Sequence, residues 1–318
     1  MKTNSPSPNK SVFSAIAQYL SGFIAVLFWG LSFVSTSILM DKGGLTPTEA
    51  YIYRFAFAYV LILIFLSHKR LFCSSWRDEL LLVLCGMSSG SIYFIAENTA
   101  LTMTASANVS LLSATSPLVT ILIVGLIYKS ERPGSGIIIG SLIAFVGVCC
   151  VICNSFISSG EEFHFSPLGD LVAFSTAFSW AIYSLLLRRI NPVYDAMFIT
   201  RKTFFYGIVT ALPFLFMQDS FTSPVVIFTQ PVVLGNMLFL VLCSSILSFY
   251  LWTRTVDTIG AVKANNYMYL QPVITLIGAA ILIGEKITIL GVIGLVIVLF
   301  GLWFGSYLQK KKDTKAAG

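Results

Sequence analysis

Charge is what this chain has little of. Asp, Glu, Lys and Arg make up 11% of its 318 residues, against about 25% in soluble domains. A water-soluble fold of this length needs polar surface to cover its core, so a soluble globular protein is excluded. Histidine is almost absent: His68 and His164 are the two in the chain, and neither has a metal partner at helical spacing. Of the six cysteines, Cys150-Val-Ile-Cys153 has the spacing of redox and zinc sites. It lies in an apolar run with no second cluster, and small buried packing residues are the expected role. No metal or other cofactor is expected. The phosphate-cradling P-loop, the dinucleotide GxGxxG and the HExxH motif are all missing, which gives ATP-driven pumping by this chain no support. Gly86-Met87-Ser88-Ser89-Gly90 fits a GxSxG elbow, but that elbow needs a strand-to-helix turn and triad partners. Inside an apolar helix it reads as a GxxxG packing face, and no enzyme is expected.

What is present is apolar length. Hydrophobic residues make up 56% and the mean hydropathy is +0.86. Runs of about 20 apolar residues, the length that crosses a bilayer as a helix, fall at 16–39, 48–67, 79–101, 104–128, 134–153, 168–188, 194–217, 231–255, 259–284 and 287–308. Hydrocarbon leaves no partner for an unpaired backbone group, so such runs are helices. The expected class is an all-α integral membrane protein with ten transmembrane helices. The net charge of +6 is no sign of nucleic-acid binding, because the basic residues sort by side. Seventeen of the 20 Lys and Arg fall on one side, leaving Lys42, Arg54 and Lys286 on the other. By the positive-inside rule both termini are cytoplasmic. Residues 1–15 read as a disordered tail, 154–167 as an extracytoplasmic linker and 309–318 as a basic cytoplasmic tail.

The two halves, 16–153 and 168–308, resemble each other. Pairing Pro117 with Pro272 also pairs Leu118-Val119-Thr120 with Val273-Ile274-Thr275. A one-residue shift pairs Glu131 with Glu285, Gly140 with Gly294 and Gly147 with Gly301, and Trp29 and Trp180 occupy comparable places. Near-constant offsets indicate an internal repeat. Five spans per repeat is an odd number, so the second repeat enters the membrane upside down, an architecture of secondary transporters.

These features resemble the drug/metabolite transporter superfamily, EamA type. The resemblance rests on Trp29-Gly30 and Ser179-Trp180-Ala181, on Arg54, on Gly169-Asp170-Leu171, and on the paired ends Ser116-Pro117-Leu118 … Glu131-Arg132 and Gln271-Pro272-Val273 … Gly284-Glu285-Lys286. It spans roughly residues 20–308 and implies two inverted five-helix repeats, a central cavity and alternating access, in a bacterial plasma membrane. The first half reads Tyr128-Lys129-Ser130-Glu131 where the family has Leu-Gly-Glu.

Ionisable groups within spans are functional candidates. Glu97 shares a helix face with Gly86, Gly90 and Tyr93, so it points into the bundle. Arg54 lies at similar depth, roughly 10 Å in at 1.5 Å per residue. Three roles stay open for Glu97: a buried pair with Arg54 that fixes register, contact with substrate or a coupled proton, or an interfacial carboxylate that reaches water. Pro117 and Pro272 are expected to break their helices, and matched breaks mark a binding region. Ser110 shares a face with Ser106, Ser113 and Pro117, while Asn265, Asn266, Tyr267, Tyr269 and Gln271 crowd the second break. These are candidate cavity lining or interhelical hydrogen bonders. Trp29, Trp180 and Tyr183 are candidate aromatic walls. Arg201 and Lys263 are candidates for an inner basic vestibule, snorkelling being the simpler reading.

The expected function is secondary transport of a small zwitterionic or anionic metabolite, amino acids first, with export ahead of uptake. The partners are that small molecule and the lipid bilayer, with a proton as candidate coupling ion. A phosphate- or nucleotide-linked exchanger, or a non-transporting membrane scaffold, are the alternatives. Oligomeric state is left open.

Overall fold

A computed structural model describes residues 8–66, 71–101, 103, 109, 112–128, 133–159, 166–218, 221–282, 284 and 287–317, with backbone alone at 8–19, 66, 98, 101, 154–159 and 312–317. Among the described residues there is no strand. Helix α1 spans Pro8–Gly43 and α2 Pro47–Leu66. Helix α3 runs over 76–101 as an α segment Trp76–Gly86, a π segment Met87–Ser91 and a second α segment Ile92–Leu101. Then come α4 (Ser116–Ile127), α5 (Ser135–Ser159), α6 (Pro167–Ile190) and α7 (Ala196–Phe216). Helix α8, Pro231–Ile259, carries its own π segment, Leu240–Leu247. Helix α9 covers 261–282, with a 3₁₀ turn at Tyr267–Tyr269, and α10 is Ile289–Ala317.

Seven of these helices (α1, α2, α3, α5, α6, α8 and α10) are long and apolar enough to cross a membrane. The described part of α4 is shorter, 12 residues. Arg201 and Lys202 lower the hydropathy of α7, and Asn265, Asn266 and Gln271 that of α9. Residues 8–15, read as disordered, are helical as part of α1, and α10 continues through the basic tail to Ala317. Once a helix is nucleated, extending it by Lys, Gln and Ala is cheap.

Local sequence sets the helix starts. Thr46-Pro47-Thr48-Glu49 is a capping box. Its Glu49 accepts from Thr46 N at 2.8 Å, and Glu49 N donates to the Thr46 hydroxyl at 3.2 Å. The Asp195 carboxylate accepts from Met197 N and Phe198 N at 3.0 Å, starting α7.

Helices α5 and α10 form the tightest seam. A Cβ built on Gly140 would lie 2.5 Å from Gly305 Cα, and one on Gly147 2.7 Å from Gly294 O. Gly301 likewise meets Ala144 N and Gly140 O. The residue numbers run in opposite senses, so the two helices are antiparallel and touch backbone to backbone. Small residues permit such approach where lipid provides no hydrophobic drive. The GxxxG pairs Gly136/Gly140 and Gly301/Gly305 therefore serve contacts within the chain. Gly86 does the same between α3 and α7, 2.6 Å from Gly207 N.

Gly140→Val drives a branched side chain into the α10 backbone, an overpacking that costs about 1–3 kcal/mol or more. Gly235, whose added Cβ meets nothing within 4 Å, is the control, because Gly→Ala in an open helical site stabilises by up to about 1 kcal/mol. Thermal unfolding of the purified variants in detergent is expected to place Gly140→Val well below, and Gly235→Ala at or above, the parent.

Candidate functional site

The two π segments position the centre of the bundle. Ser88 and Ser89 bond back to Leu84 O and Cys85 O at 2.6 and 2.8 Å, and Ser248 reaches Cys243 O at 2.8 Å. Such back-bonding competes with the regular helix ladder, and a π turn turns carbonyls out of it. The freed groups are taken up by other helices. Ser244 O, on α8, accepts from Trp29 Nε1 of α1 at 3.0 Å and from Arg54 of α2 at 3.3 Å. Ser88 O, on α3, accepts from the Ser179 hydroxyl of α6 at 2.6 Å.

Arg54 is 8% exposed. It donates to Ser245 Oγ at 2.6 Å and Ser244 Oγ at 3.1 Å, and its guanidinium lies 4.8 Å from the Phe55 ring centroid. The anticipated Arg54–Glu97 ion pair is not formed, because the serines of the α8 π segment satisfy the guanidinium first. Glu97 is approached instead by the Tyr93 hydroxyl at a long 3.5 Å.

Both residues line one cavity of about 410 Å³. Its walls include Trp29, Tyr51, Tyr93, Phe94, Trp180 and Phe249, with Ser32, Ser37, Ser89 and Gln271 as polar points. Ser37, Met40, Pro47 and Glu97 lie toward the α1–α2 turn, so the cavity opens at that end of the bundle. At its other end a packed aromatic group closes it. Trp29 meets Trp180 edge-on at 5.2 Å, and Trp252 lies 5.3 and 5.7 Å from these two rings. Tyr183 is fully buried behind Trp180, 5.3 Å away.

Asn265, Asn266, Tyr267 and Tyr269 do not reach this cavity. The 3₁₀ turn at Tyr267–Tyr269 advances about 120° per residue rather than 100°, which brings Met268 and Gln271 to the wall. Asn265 Nδ2 donates to Ala261 O at 2.9 Å, and Asn266 Oδ1 accepts from Ser141 of α5 at 2.9 Å. Pro272 lies in the helix after that turn, and Pro117 in the first turn of α4, where no ladder bond is lost. Ser110, with Ser106, both histidines, Glu131 and Glu285, lies outside the described residues.

Arg201 is buried over Phe198, and Lys263 is exposed; neither lines the central cavity. Lys202 does not snorkel: it is buried and pairs with Glu79 of α3, which also accepts from the Tyr206 hydroxyl and from Cys73 N at 3.0 Å. Beside them the Tyr194 hydroxyl donates to Asp78 at 2.8 Å and accepts from Ser74 N at 2.9 Å. These bonds clamp α3 to α7 at the end opposite the mouth. At the mouth end, Glu49 and Tyr53 hold Thr222, with Glu49 Oε1 accepting from its N at 2.6 Å and Tyr53 donating to its carbonyl at 2.7 Å. The Ser-Ser pairs at 88–89 and 244–245 were the overlooked signal for the site, and the Thr46–Glu49 capping box for the outer clamp. Among the described residues no group of three or more His, Cys, Asp or Glu converges to hold a metal.

An all-helical membrane bundle with a half-closed central cavity defines a class, and sequence comparison identifies the family. The EamA-like transporter family matches residues 16–153 and again 167–307; the chain belongs to it. An uncharacterized transporter of Archaeoglobus fulgidus is 26% identical over 290 residues, covering 90% of this chain and 96% of that one. Transporter YyaM of Bacillus subtilis, also uncharacterized, is 28% identical over 283 residues, covering 86% and 89%. A protein of Salmonella typhimurium named a probable amino-acid metabolite efflux pump is 23% identical over 196 residues, 59% of this chain and 64% of that one. A solved crystal structure superposes with a TM-score of 0.72 at 18% identity, covering 92% of this chain and 98% of that one, which establishes a shared fold. The family and these relatives make this chain a membrane transporter of small metabolites.

Removing one partner of a buried ion pair strands the other. Lys202→Met is expected to destabilise by about 3 kcal/mol, the low end for a buried pair, because the Glu79 side chain is 23% exposed. Adding Glu79→Gln should recover part of that loss. A double-mutant cycle read by thermal unfolding checks this, and strictly additive losses would contradict the pairing.

Proposed function

We propose that this protein is a secondary transporter that moves a small zwitterionic metabolite, such as an amino acid, by alternating access across a bacterial plasma membrane. In this reading it has ten transmembrane helices as two inverted five-helix repeats and cytoplasmic termini, and it exports. The observation that carries the substrate class is the cavity itself. It holds one guanidinium, Arg54, and one carboxyl, Glu97, that do not pair with each other. A bound carboxylate would find Arg54, and a bound ammonium would find Glu97 and the faces of Trp29, Trp180 and Tyr93. The aromatic walls suit an apolar body between the two charges.

The inverted repeat is supported by the α5–α10 seam. Sequence pairing makes Gly140 the equivalent of Gly294 and Gly147 of Gly301, and the contacts run Gly140 to Gly301 and Gly147 to Gly294. Reciprocal contacts of this kind are the signature of a two-fold axis. The lysine and arginine count supports cytoplasmic termini, and the Salmonella typhimurium relative supports amino acids and export. The phosphate-linked exchanger gains no support, since Arg201 and Lys263 do not line the central cavity and Lys202 is already paired.

Glu97 is assigned the coupling proton and Arg54 the substrate carboxylate. Counterflow of labelled neutral amino acids into proteoliposomes tests both. The parent is expected to accumulate label. Arg54→Gln is expected to lose about 10²-fold or more in rate, since an unpaired buried charge–carboxylate contact is worth 2–5 kcal/mol. Glu97→Gln should slow counterflow and abolish accumulation driven by a pH gradient. Folded protein with no counterflow for any neutral amino acid or small carboxylate would overturn the assignment.

A further inference from the structure

Tyr51 of α2 is part of the wall of the central cavity, and its hydroxyl is seated against two other helices. The ring is buried, with the Phe94 centroid at 4.4 Å and the Phe55 centroid at 4.8 Å. The seat is made by Gly90 of α3 and Gly207 of α7. A Cβ built on Gly207 would lie 2.7 Å from the Tyr51 hydroxyl oxygen, and one on Gly90 would lie nearer still. The hydroxyl therefore fills the space that a side chain at either position would need.

The walls of this notch cannot spread. On one side of it α3 and α7 meet backbone to backbone, with a Cβ on Gly86 only 2.6 Å from Gly207 N. On the other side the Ser91 and Thr210 hydroxyls are bonded to each other at 2.7 Å. Farther along, Lys202 and Glu79 tie the same two helices together. An added methyl group thus meets fixed backbone on one flank and the free end of a tyrosine on the other. Overpacking is relieved where a side chain can turn, so the tyrosine yields. Phe55 and Phe94 flank its ring and themselves border the cavity. The room into which the ring can move is the cavity's own.

We infer that Gly90 and Gly207 set the bulk of the cargo that the cavity accepts, by seating the Tyr51 hydroxyl and so holding its ring back from the space of the cargo's apolar body. This rests on the transporter reading and adds what limits the size of the cargo. With alanine at position 207 the hydroxyl has to retreat from 2.7 Å to at least the 3.4 Å of ordinary contact. Close-packed walls do not absorb such a shift elsewhere. In an apolar pocket the room for one methylene changes discrimination by about tenfold or more. The two glycines therefore favour a cargo with a bulky apolar body, and a side chain at either one shifts the preference toward small cargo.

Gly207→Ala is the cleaner test. Without the tyrosine hydroxyl its Cβ would have Gly86 O, at 3.3 Å, as its nearest neighbour, and alanine suits a helix better than glycine does. Counterflow of labelled phenylalanine is compared with that of labelled alanine in proteoliposomes. Gly207→Ala is expected to lower the phenylalanine rate about tenfold relative to alanine. Introduced into Tyr51→Phe, where no hydroxyl occupies the notch, the same substitution should change that ratio by less than about twofold. Equal loss of both amino acids, or the same change of ratio in both backgrounds, overturns the inference.

Thiol labelling reads the width of the cavity without a substrate. Ser32 lies in the cavity wall on α1, roughly 16 Å from Gly43 at 1.5 Å per residue, whereas Tyr51 lies one turn into α2. A thiol at position 32 is therefore reached from the mouth past Tyr51. A Ser32→Cys protein in detergent is treated with methyl or benzyl methanethiosulfonate, two neutral reagents with the same reacting group. Peptide mass spectrometry separates this thiol from the six native cysteines. Gly207→Ala is expected to slow the benzyl reagent about tenfold relative to the methyl one, with methyl labelling kept, which shows that the variant folds. The Tyr51→Phe background should remove that effect, and Gly235→Ala should keep the parent's ratio. An unchanged ratio in Gly207→Ala overturns the inference whatever the substrate. A parent without counterflow whose labelling follows these expectations counts against the transporter reading alone.

Discussion

A guanidinium inside an apolar bundle must find its hydrogen-bond acceptors within the protein, since hydrocarbon provides none. Arg54 finds them on one turn of the opposite half, at Ser244 and Ser245. That turn can receive it because α8 is wound there as a π segment, which frees the Ser244 carbonyl. The same carbonyl takes the Trp29 indole, so α1 and α2 of the first half are both fastened to α8 of the second. The cavity forms around this junction. Its aromatic floor, its single guanidinium and the free carboxyl of Glu97 all depend on the place where α8 leaves the regular ladder.

The remaining joints between the halves are arranged to hold one end and release the other. The glycine seam of α5 and α10 has no slack, since any added atom meets backbone. In the proposed cycle it would serve as a fixed hinge line rather than a sliding surface. Polar clamps lie at both ends of the moving part: Glu49 and Tyr53 on Thr222 near the mouth, and Lys202 and Tyr206 on Glu79 at the closed end. Each clamp consists of a few hydrogen bonds near a bundle end, made by buried carboxylate or lysine side chains. Packed interiors shift between discrete arrangements rather than deforming continuously. A rigid seam with localised end clamps suits that kind of change.

Much of this could be read from residues alone. Apolar run length located most helix ends within a few positions, because the bilayer sets their length, but α1 begins before its run and α5 and α10 continue past theirs. Glu97, Arg54, Trp29, Tyr93 and Trp180 were singled out for charge in a span or for duplication, and the fold brings all five to one cavity. Of the two roles open to the second-break cluster, Gln271 takes the cavity wall and Asn266 an interhelical bond to Ser141. Helical periodicity assumes 100° per residue, and the 3₁₀ turn at Tyr267–Tyr269 turns Asn265 and Asn266 away from the wall. The Arg54–Glu97 pair was anticipated from depth alone, whereas rotation about the helix axis and the unforeseen π turn gave Arg54 to serines. The Lys202–Glu79 pair had no sequence signal, since the two lie far apart in the chain and only the packing of α3 on α7 joins them.

The central proposal is that the cavity opens in alternation at its mouth and at the opposite end of the bundle. Electron–electron resonance distances between spin labels at Lys42 and Thr99, exposed at the mouth end, and between labels at Arg189 and Asp257, exposed at the opposite end, measure it directly. The account predicts two populations at each pair with reciprocal weights, shifted together when a saturating neutral amino acid is added. Distances that stay single and unchanged at both ends, or that widen together, would contradict it.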